Sequence, residues 1–402
     1  MVRISVTGSA LIDYLYGSVD FAGDAFVRYH SKQPGDGGLQ IGGLVLAEDL
    51  EAYGGWPLPE ILAEIVGPIE PDMSNVGGPA VVAGIHAAQV GVHDDIQVTF
   101  EGARGDDPAG AILAERIAST PLSAPKFHVF EGETPATIVL SDPGYAAGTG
   151  ERSFITRTGA AGGFEPRHLS ADFYKADIAL FGGTALVPRL HAGLDECLET
   201  ARNNKVMTIV GTVYDFPNER KAPGSPWPLG RHTATWQYID LLVTDREEAL
   251  KISGCDTVDE AIDRFLGNGI GTAVVTQGAD DVVAESRKPP FAPSGRIRLP
   301  VSERIVSDQA KGTGPFGNHA GDTTGCGDNF VGGLMHAIAT QFNAGVTSGI
   351  DLRAALAPAV VSGGFAGFYL GGYFEESGAT QKAKSMESYI SEYRAQIGLS
   401  TP

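Results

Sequence analysis

The stretch Gly321-Asp322-Thr323-Thr324-Gly325-Cys326-Gly327-Asp328 decides the reading of this chain. Behind it, Asn329 to about Gln341 carries apolar residues at Phe330, Leu334 and Ile338 and again at Val331 and Met335, the spacing of a helix. The segment predicts a glycine-rich turn that ends in a helix N-terminus. Gly325, Cys326 and Gly327 are small enough for the backbone to pass close to a ligand with its N–H groups turned outward. The first N–H groups of a helix make an anion site. Asp328 puts a carboxylate beside that site, which suits a base taking a proton from a hydroxyl that attacks the bound anion. A plain helix start also uses Thr, Asp and Gly. It does not account for a double Thr, flanking glycines and two Asp within one short segment. The common phosphate loop is excluded, because no Gly-Lys-Ser/Thr ending follows.

A length of 402 residues admits one large domain or two ordinary ones. The net charge of −20 argues against nonspecific binding to nucleic acid or to an anionic membrane surface. Cys197, Cys255 and Cys326 are scattered and lack metal-ligand spacing, so a reducing, cytoplasmic location is expected, without a disulfide framework. The N-terminus reads as a strand, Val2 to Thr7, and not as a signal peptide. The uncharged run Leu356 to Phe374 contains Pro358 and several glycines, and reads as buried helix plus loop.

Outward from the opening stretch, strands and helices alternate. Gly8-Ser9 turns the first strand, and Asp13 is expected at that strand's end. Segment 14–75 is irregular, with a strand expected within Leu39 to Ala47 and a helix from Trp56 to Val66. Gly77-Gly78-Pro79 opens a small-residue helix that runs to Val90. Strands are expected at Gln97–Gly102, Ile178–Phe181, Val206–Val213, Leu241–Thr244 and Thr272–Thr276, with helices at Leu190–Asn203, Glu247–Ile252 and Asp259–Leu266. Pro135–Ser141 and Arg152–Arg157 resemble the two strands of a hairpin. Such alternation indicates an α/β fold with a mostly parallel central sheet, whose ligands bind beyond the carboxyl ends of the strands. Asp13, Gly182-Gly183, Asp245, Thr276 and the glycine-rich turn all follow expected strands. One domain, 1–402, is expected, with a flap built from about 14–75 and 134–157.

At this point the residues resemble the ribokinase-like (PfkB) family of sugar and nucleoside kinases. The segment 321–328 looks like that family's C-terminal signature, which usually has Ala where Cys326 stands. Gly77-Gly78 and the helix behind them are similar to its N-terminal signature, and Gly102 to Gly110 to the segment that comes next. Gly8-Ser9 with Asp13 looks like the opening strand with its substrate-binding aspartate. Thr276-Gln277-Gly278 is similar to the Thr-x-Gly element of the nucleotide site. Two further positions depart from the pattern: Val82 stands where an Asn is common, and Asp245 begins an element that usually reads Asn-x-x-Glu.

The resemblance implies a ribokinase-like three-layer sandwich with a small β-strand lid, and an ATP-dependent carbohydrate kinase acting on an alcohol hydroxyl. It implies Asp328 as general base, with the backbone of Gly325, Cys326 and Gly327 as anion hole. Asp13, Gly77 and Gly78 would meet the substrate, and Thr276, Gly278 and Thr323 would border ATP. Glu248 would act on magnesium from outside its inner coordination sphere. A monovalent cation and a homodimer through the lid belong to the same expectation. The partners are then a sugar and ATP, with no nucleic acid and no membrane. A nucleoside kinase and a catalytically idle sugar-binding protein on this fold are the alternatives. Arg152 and Arg157 are expected as solvated charges on the flap. His86, His128 and His319 show no metal spacing.

Overall fold

The computed structural model describes residues 1–400 except 34, 149, 317–320 and 322, so Asp322 of the opening stretch and His319 lie outside the described residues. In chain order its strands are β1 (Val2–Gly8), β2 (Leu11–Tyr16), β3 (Leu44–Leu46), β4 (Met73–Gly77), β5 (Ile96–Gly105), β6 (Ser123–Phe130), β7 (Ala136–Asp142), β8 (Glu151–Arg157), β9 (Ile178–Gly182), β10 (Met207–Gly211), β11 (Leu241–Asp245), β12 (Thr272–Gln277), β13 (Asp280–Ser286) and β14 (Ile297–Leu299). Nine of them form one sheet in the order β14-β13-β12-β11-β10-β9-β1-β5-β6, and five form a second in the order β3-β8-β7-β2-β4.

The large sheet is parallel except at β12-β13-β14, where the chain returns by antiparallel hairpins. Its central strands are short apolar runs, buried along nearly their whole length. Such strands form where helices cover both faces of a parallel sheet. Ile4 and Val6 of β1, Leu180 of β9 and Val243 of β11 face the helices Pro79–Val90, Cys326–Asn343 and Leu352–Ala366. Phe181, Val210, Leu242 and Val275 face the helices Leu194–Asn203, Arg246–Ser253 and Val258–Gly267. The result is the expected three-layer arrangement.

The small sheet holds the expected hairpin, β7 against β8, with Thr137 opposite Thr156. It also holds β2, so Asp13 lies inside a second strand and not at the end of the first; its neighbours across the sheet are Asn75 on β4 and Thr137 on β7. The chain breaks after Gly8, whose φ of +131° is open to glycine, and a Cβ there would lie 1.8 Å from the Gly182 carbonyl oxygen. Segment 14–75 is more ordered than its irregular pattern indicates. The helices Asp24–Tyr29, Ala47–Gly54 and Leu58–Val66 pack through Phe26, Tyr29, Leu50 and Ile61 on one face of the small sheet, against Leu140 and Ile155. The strand expected over Leu39–Ala47 shrinks to Leu44–Leu46, and Ala47 begins a helix. The helix expected over Leu190–Asn203 is two helices, Pro188–Ala192 and Leu194–Asn203, divided at Gly193, where Pro166 leaves no room for a Cβ.

Candidate active site

The register of the parallel strands sets Gly8, Gly182 and Gly211 side by side at the carboxyl edge of the sheet. Three adjacent positions without side chains leave a flat floor there. At the start of the small-residue helix, Ala80 closes onto Gly182 and Pro79 onto Gly183. A pocket of about 170 Å³ opens over this edge, lined by Pro79, Gly182, Gly211, Thr212, Asp245, Glu248, Thr276, Gly327 and Asp328 among others. Residues far apart in sequence, Thr276, Glu248 and the 327–328 pair, are therefore brought together.

The glycine-rich turn enters the helix Cys326–Asn343 through Gly325, the N-cap, at φ +74°. A Cβ on Gly325 would approach Gly372 Cα to 2.3 Å, so only glycine fits. Gly327 faces open space, which leaves its backbone accessible from the pocket. The three N–H groups are not equivalent. The Cys326 N–H is turned to the Thr323 carbonyl at 3.3 Å, whereas the first-turn N–H groups of Gly327 and Asp328 have no intrahelical acceptor. Cys326 is half-buried and forms no disulfide among the described residues.

Asp328 keeps an opening to the pocket, yet protein surrounds its carboxyl, and burial pushes its pKa up to about 7. Across the pocket Glu248 is pushed up to about 8, by burial first and then by the charge of Asp245, with a smaller effect of Asp328. Asp245, itself raised by burial, caps the helix Arg246–Ser253 by accepting the Glu248 N–H at 2.8 Å. The Thr212 hydroxyl donates to Glu248. Three carboxyl groups on one pocket make a donor set that suits a hard cation. Among the described residues no trio of His, Cys, Asp or Glu closes around one point, so such an ion would be held largely by water and by its own ligand.

Asp13, Gly77 and Gly78 meet at the seam between the two sheets. A Cβ on Gly77 would strike the Asp13 carboxylate at 2.1 Å, and one on Gly78 the Ser9 carbonyl at 2.7 Å. Directly opposed residues share a face of a sheet. Asn75, Asp13, Thr137 and Thr156 therefore form a buried polar row across β4, β2, β7 and β8, and the Thr137 and Thr156 hydroxyls lie 2.9 Å apart. Arg152, two pairs further along β8, shares that face and donates to the hydroxyls of Thr324, at 3.0 Å, and Thr323. The expectation of a solvated Arg152 is thus overturned. Arg157 lies on the opposite face, paired with Glu51 and Glu133.

Gly278 does not line the pocket; it holds φ +62° in the tight turn between β12 and β13. Val82, at the position where an Asn was expected, is buried against Gly372. One polar side chain at that loop is Asn75, which donates to the carbonyls of Leu370 and Tyr373. Thr212, Thr137 and Thr156 were missed from sequence. The last two join Asp13 only through the pairing of β2 with β7 and of β7 with β8, which no single strand's pattern reveals.

The fold, a large and mostly parallel sheet with a smaller second sheet, is that of the ribokinase-like class of structures. Within that class the sequence decides further: residues 73–372 match the model of the pfkB family carbohydrate kinases, and the chain belongs to that family. Asp13 and β2 lie before the matched stretch. No curated protein matches the chain. Among solved structures it is similar to adenosine kinase from Schistosoma mansoni in complex with 2-fluoroadenosine, at 16% identity and TM-score 0.68, covering 93% of this chain and 97% of that one. A probable sugar kinase from Rhizobium etli gives 17% identity and TM-score 0.65, covering 99% of each chain. A putative ribokinase II from E. coli gives 15% identity and TM-score 0.62, covering 98% of this chain and 100% of that one.

Proposed function

We propose that this protein transfers the terminal phosphoryl group of ATP to an alcohol hydroxyl of a sugar or sugar derivative, with Asp328 as general base. The observation that carries the reading is the Asp328 carboxyl, held near neutrality in a pocket that also contains a helix N-terminus. A base with a pKa near the working pH is ionised yet still able to accept a proton. The Gly325–Gly327 backbone would face the transferring group, with the Gly327 N–H supplying charge stabilisation in a site closed to water. Thr276 and Thr323 would border the nucleotide. Gly278 would act by shaping the β12–β13 turn.

Asp13 would accept from two adjacent substrate hydroxyls, and Thr137 and Thr156 extend the same polar row. That row fits a polyhydroxylated ligand. The small sheet would serve as the lid, with Arg152 fastening it to the turn. Magnesium, arriving with ATP, would neutralise phosphate charge, and Glu248 would hold one of its waters. A monovalent cation is part of the same proposal, read by comparing rates in potassium and in a large organic cation. The outer face of the small sheet is occupied by this chain's own helices, so a dimer through the lid would have to use an edge strand of that sheet, β3 or β4; sedimentation reads that. Among the described residues no helix is long and apolar enough to cross a membrane.

Phe154 favours a second reading. It stands between Thr156 and Arg152 on the same face of β8 and offers a ring to a base, as in a nucleoside kinase. Protein with MgATP and a panel of sugars and nucleosides should release ADP with one class and not the other. Tight binding of a sugar without ADP release from any member would contradict kinase function.

A further inference from the structure

Directly behind the glycine-rich turn, four helices bring buried polar groups to one point. Asn329, the residue after Asp328, is fully buried. Its amide donates to the Gly325 carbonyl at 2.8 Å and to the Gly372 carbonyl at 2.9 Å. Its carbonyl oxygen lies 2.8 Å from Lys382 Nζ, 2.7 Å from His86 Nδ1 and 3.0 Å from the Tyr369 hydroxyl. His86 is held on its other side by Ser362 Oγ at 2.9 Å. Burial and the Lys382 charge keep the imidazole neutral, which fits Nδ1 donating to Asn329 and Nε2 accepting from Ser362.

Lys382 is 1% exposed. Its ammonium reaches Gln89 Oε1 at 3.3 Å and lies over the rings of Tyr369 and Phe374 at 5.3 and 5.9 Å. Among the described residues it makes no ion pair; the Glu376 carboxylate receives the Lys382 backbone N–H instead. Burying an ammonium among neutral groups is expensive. Burial pulls its pKa down to about 7, partly offset by Glu376. A neutral side chain of similar length would tie these helices together without that penalty. What an ammonium adds is orientation: a donor with no acceptor capacity, it holds the Asn329 oxygen inward together with the Tyr369 hydroxyl. Both N–H groups must then point at Gly325 and Gly372, the two backbone segments that touch where only glycine fits.

We propose that Lys382 is a positioning residue for phosphoryl transfer, acting through Asn329 to lock the Gly325–Gly327 turn against Gly372. This rests on the reading of that turn as the phosphoryl-holding backbone. Misplacement of such a group by an ångström costs on the order of 100-fold in rate. In the full-length protein, Lys382→Met should therefore lower kcat by about 100-fold, while the KM for ATP changes by less than about threefold. Lys382→Ala should regain rate with added methylammonium in a saturable way, and not with tetramethylammonium. Both are to be assayed well below their measured melting temperatures, beside Asp328→Asn. Wild-type kcat in Lys382→Met overturns the proposal, as does a loss that follows melting temperature and ignores methylammonium. Should the Lys382 variants not fold, Asn329→Asp substitutes. It keeps an acceptor for Lys382 but loses both donors, so the proposal requires the same kcat loss, and an unchanged kcat overturns it. An active Asp328→Asn would instead indict the reading of the turn, separately from Lys382.

Discussion

At pH 7 the Asp328 carboxyl sits near the midpoint of its own titration, because burial lifts it from an ordinary aspartate's 3.8 to about 7. Two consequences follow at this single residue. A base must be ionised, so kcat should rise with pH on a limb whose midpoint is near 7, and fall again where Lys382 loses its proton. A pH–rate profile flat from 6 to 8.5 would argue against Asp328 as base. The second consequence concerns stability. The folded pKa lies above the unfolded one, so between about pH 4 and 7 the folded state holds the extra proton, and stability falls as pH rises through that window. Asp328→Asn removes the burdened charge. Its melting temperature should exceed that of the wild type by a few degrees at pH 8, the gap closing toward pH 4, as calorimetry can show. Gly77 makes a different residue-scale prediction. The methyl of Gly77→Ala would enter the space of the Asp13 carboxylate, so the KM for the hydroxyl substrate should rise at least tenfold while that for ATP stays within about twofold.

Among the elements, the turn before the helix Cys326–Asn343 admits the least change. Gly325→Ala meets both a left-handed backbone and the Gly372 Cα, so it should destabilise by about 2 kcal/mol and abolish turnover, read by denaturant unfolding and ADP release. The hairpin β7–β8 acts on that turn through Arg152. Hydrogen bonds from a charged donor are worth roughly 1.5–3 kcal/mol. Arg152→Ala should therefore lower kcat/KM by about tenfold or more without lowering the melting temperature in proportion. The hairpin and the central parallel strands were legible in sequence because their patterns are long and apolar or alternating. The strands β2, β4, β6 and β14 were not. β4 contains Ser74 and Asn75 in five residues, and Asn75 is buried because its amide serves a distant loop. β6 carries Pro125, Lys126 and His128, which an edge strand tolerates and a central strand does not.

For the whole molecule, the opening stretch points to the proposed phosphoryl transfer, and its neighbours to the edge of the sheet on which the candidate site lies. Asp328, Gly327, Thr276 and Glu248 could be gathered from sequence because each follows or begins an element with a clear pattern, and parallel strands deliver such positions to one edge. The polar row of Asp13, Thr137 and Thr156 could not be gathered, because it depends on the register of three separate strands. Neither could the cluster of His86, Asn329, Ser362 and Lys382, which four helices assemble from positions almost 300 residues apart. Segment 14–75 read as irregular because its three short helices bury apolar residues against a sheet that exists only after folding. The central claim is that Asp328 removes the proton from the attacking hydroxyl. The most direct test is single-turnover transfer from MgATP by Asp328→Asn at pH 8, with ATP binding measured in parallel by calorimetry. If Asp328 is the base, the rate falls about a thousandfold or more below wild type with ATP affinity within a few-fold. Transfer at the wild-type rate would contradict that role.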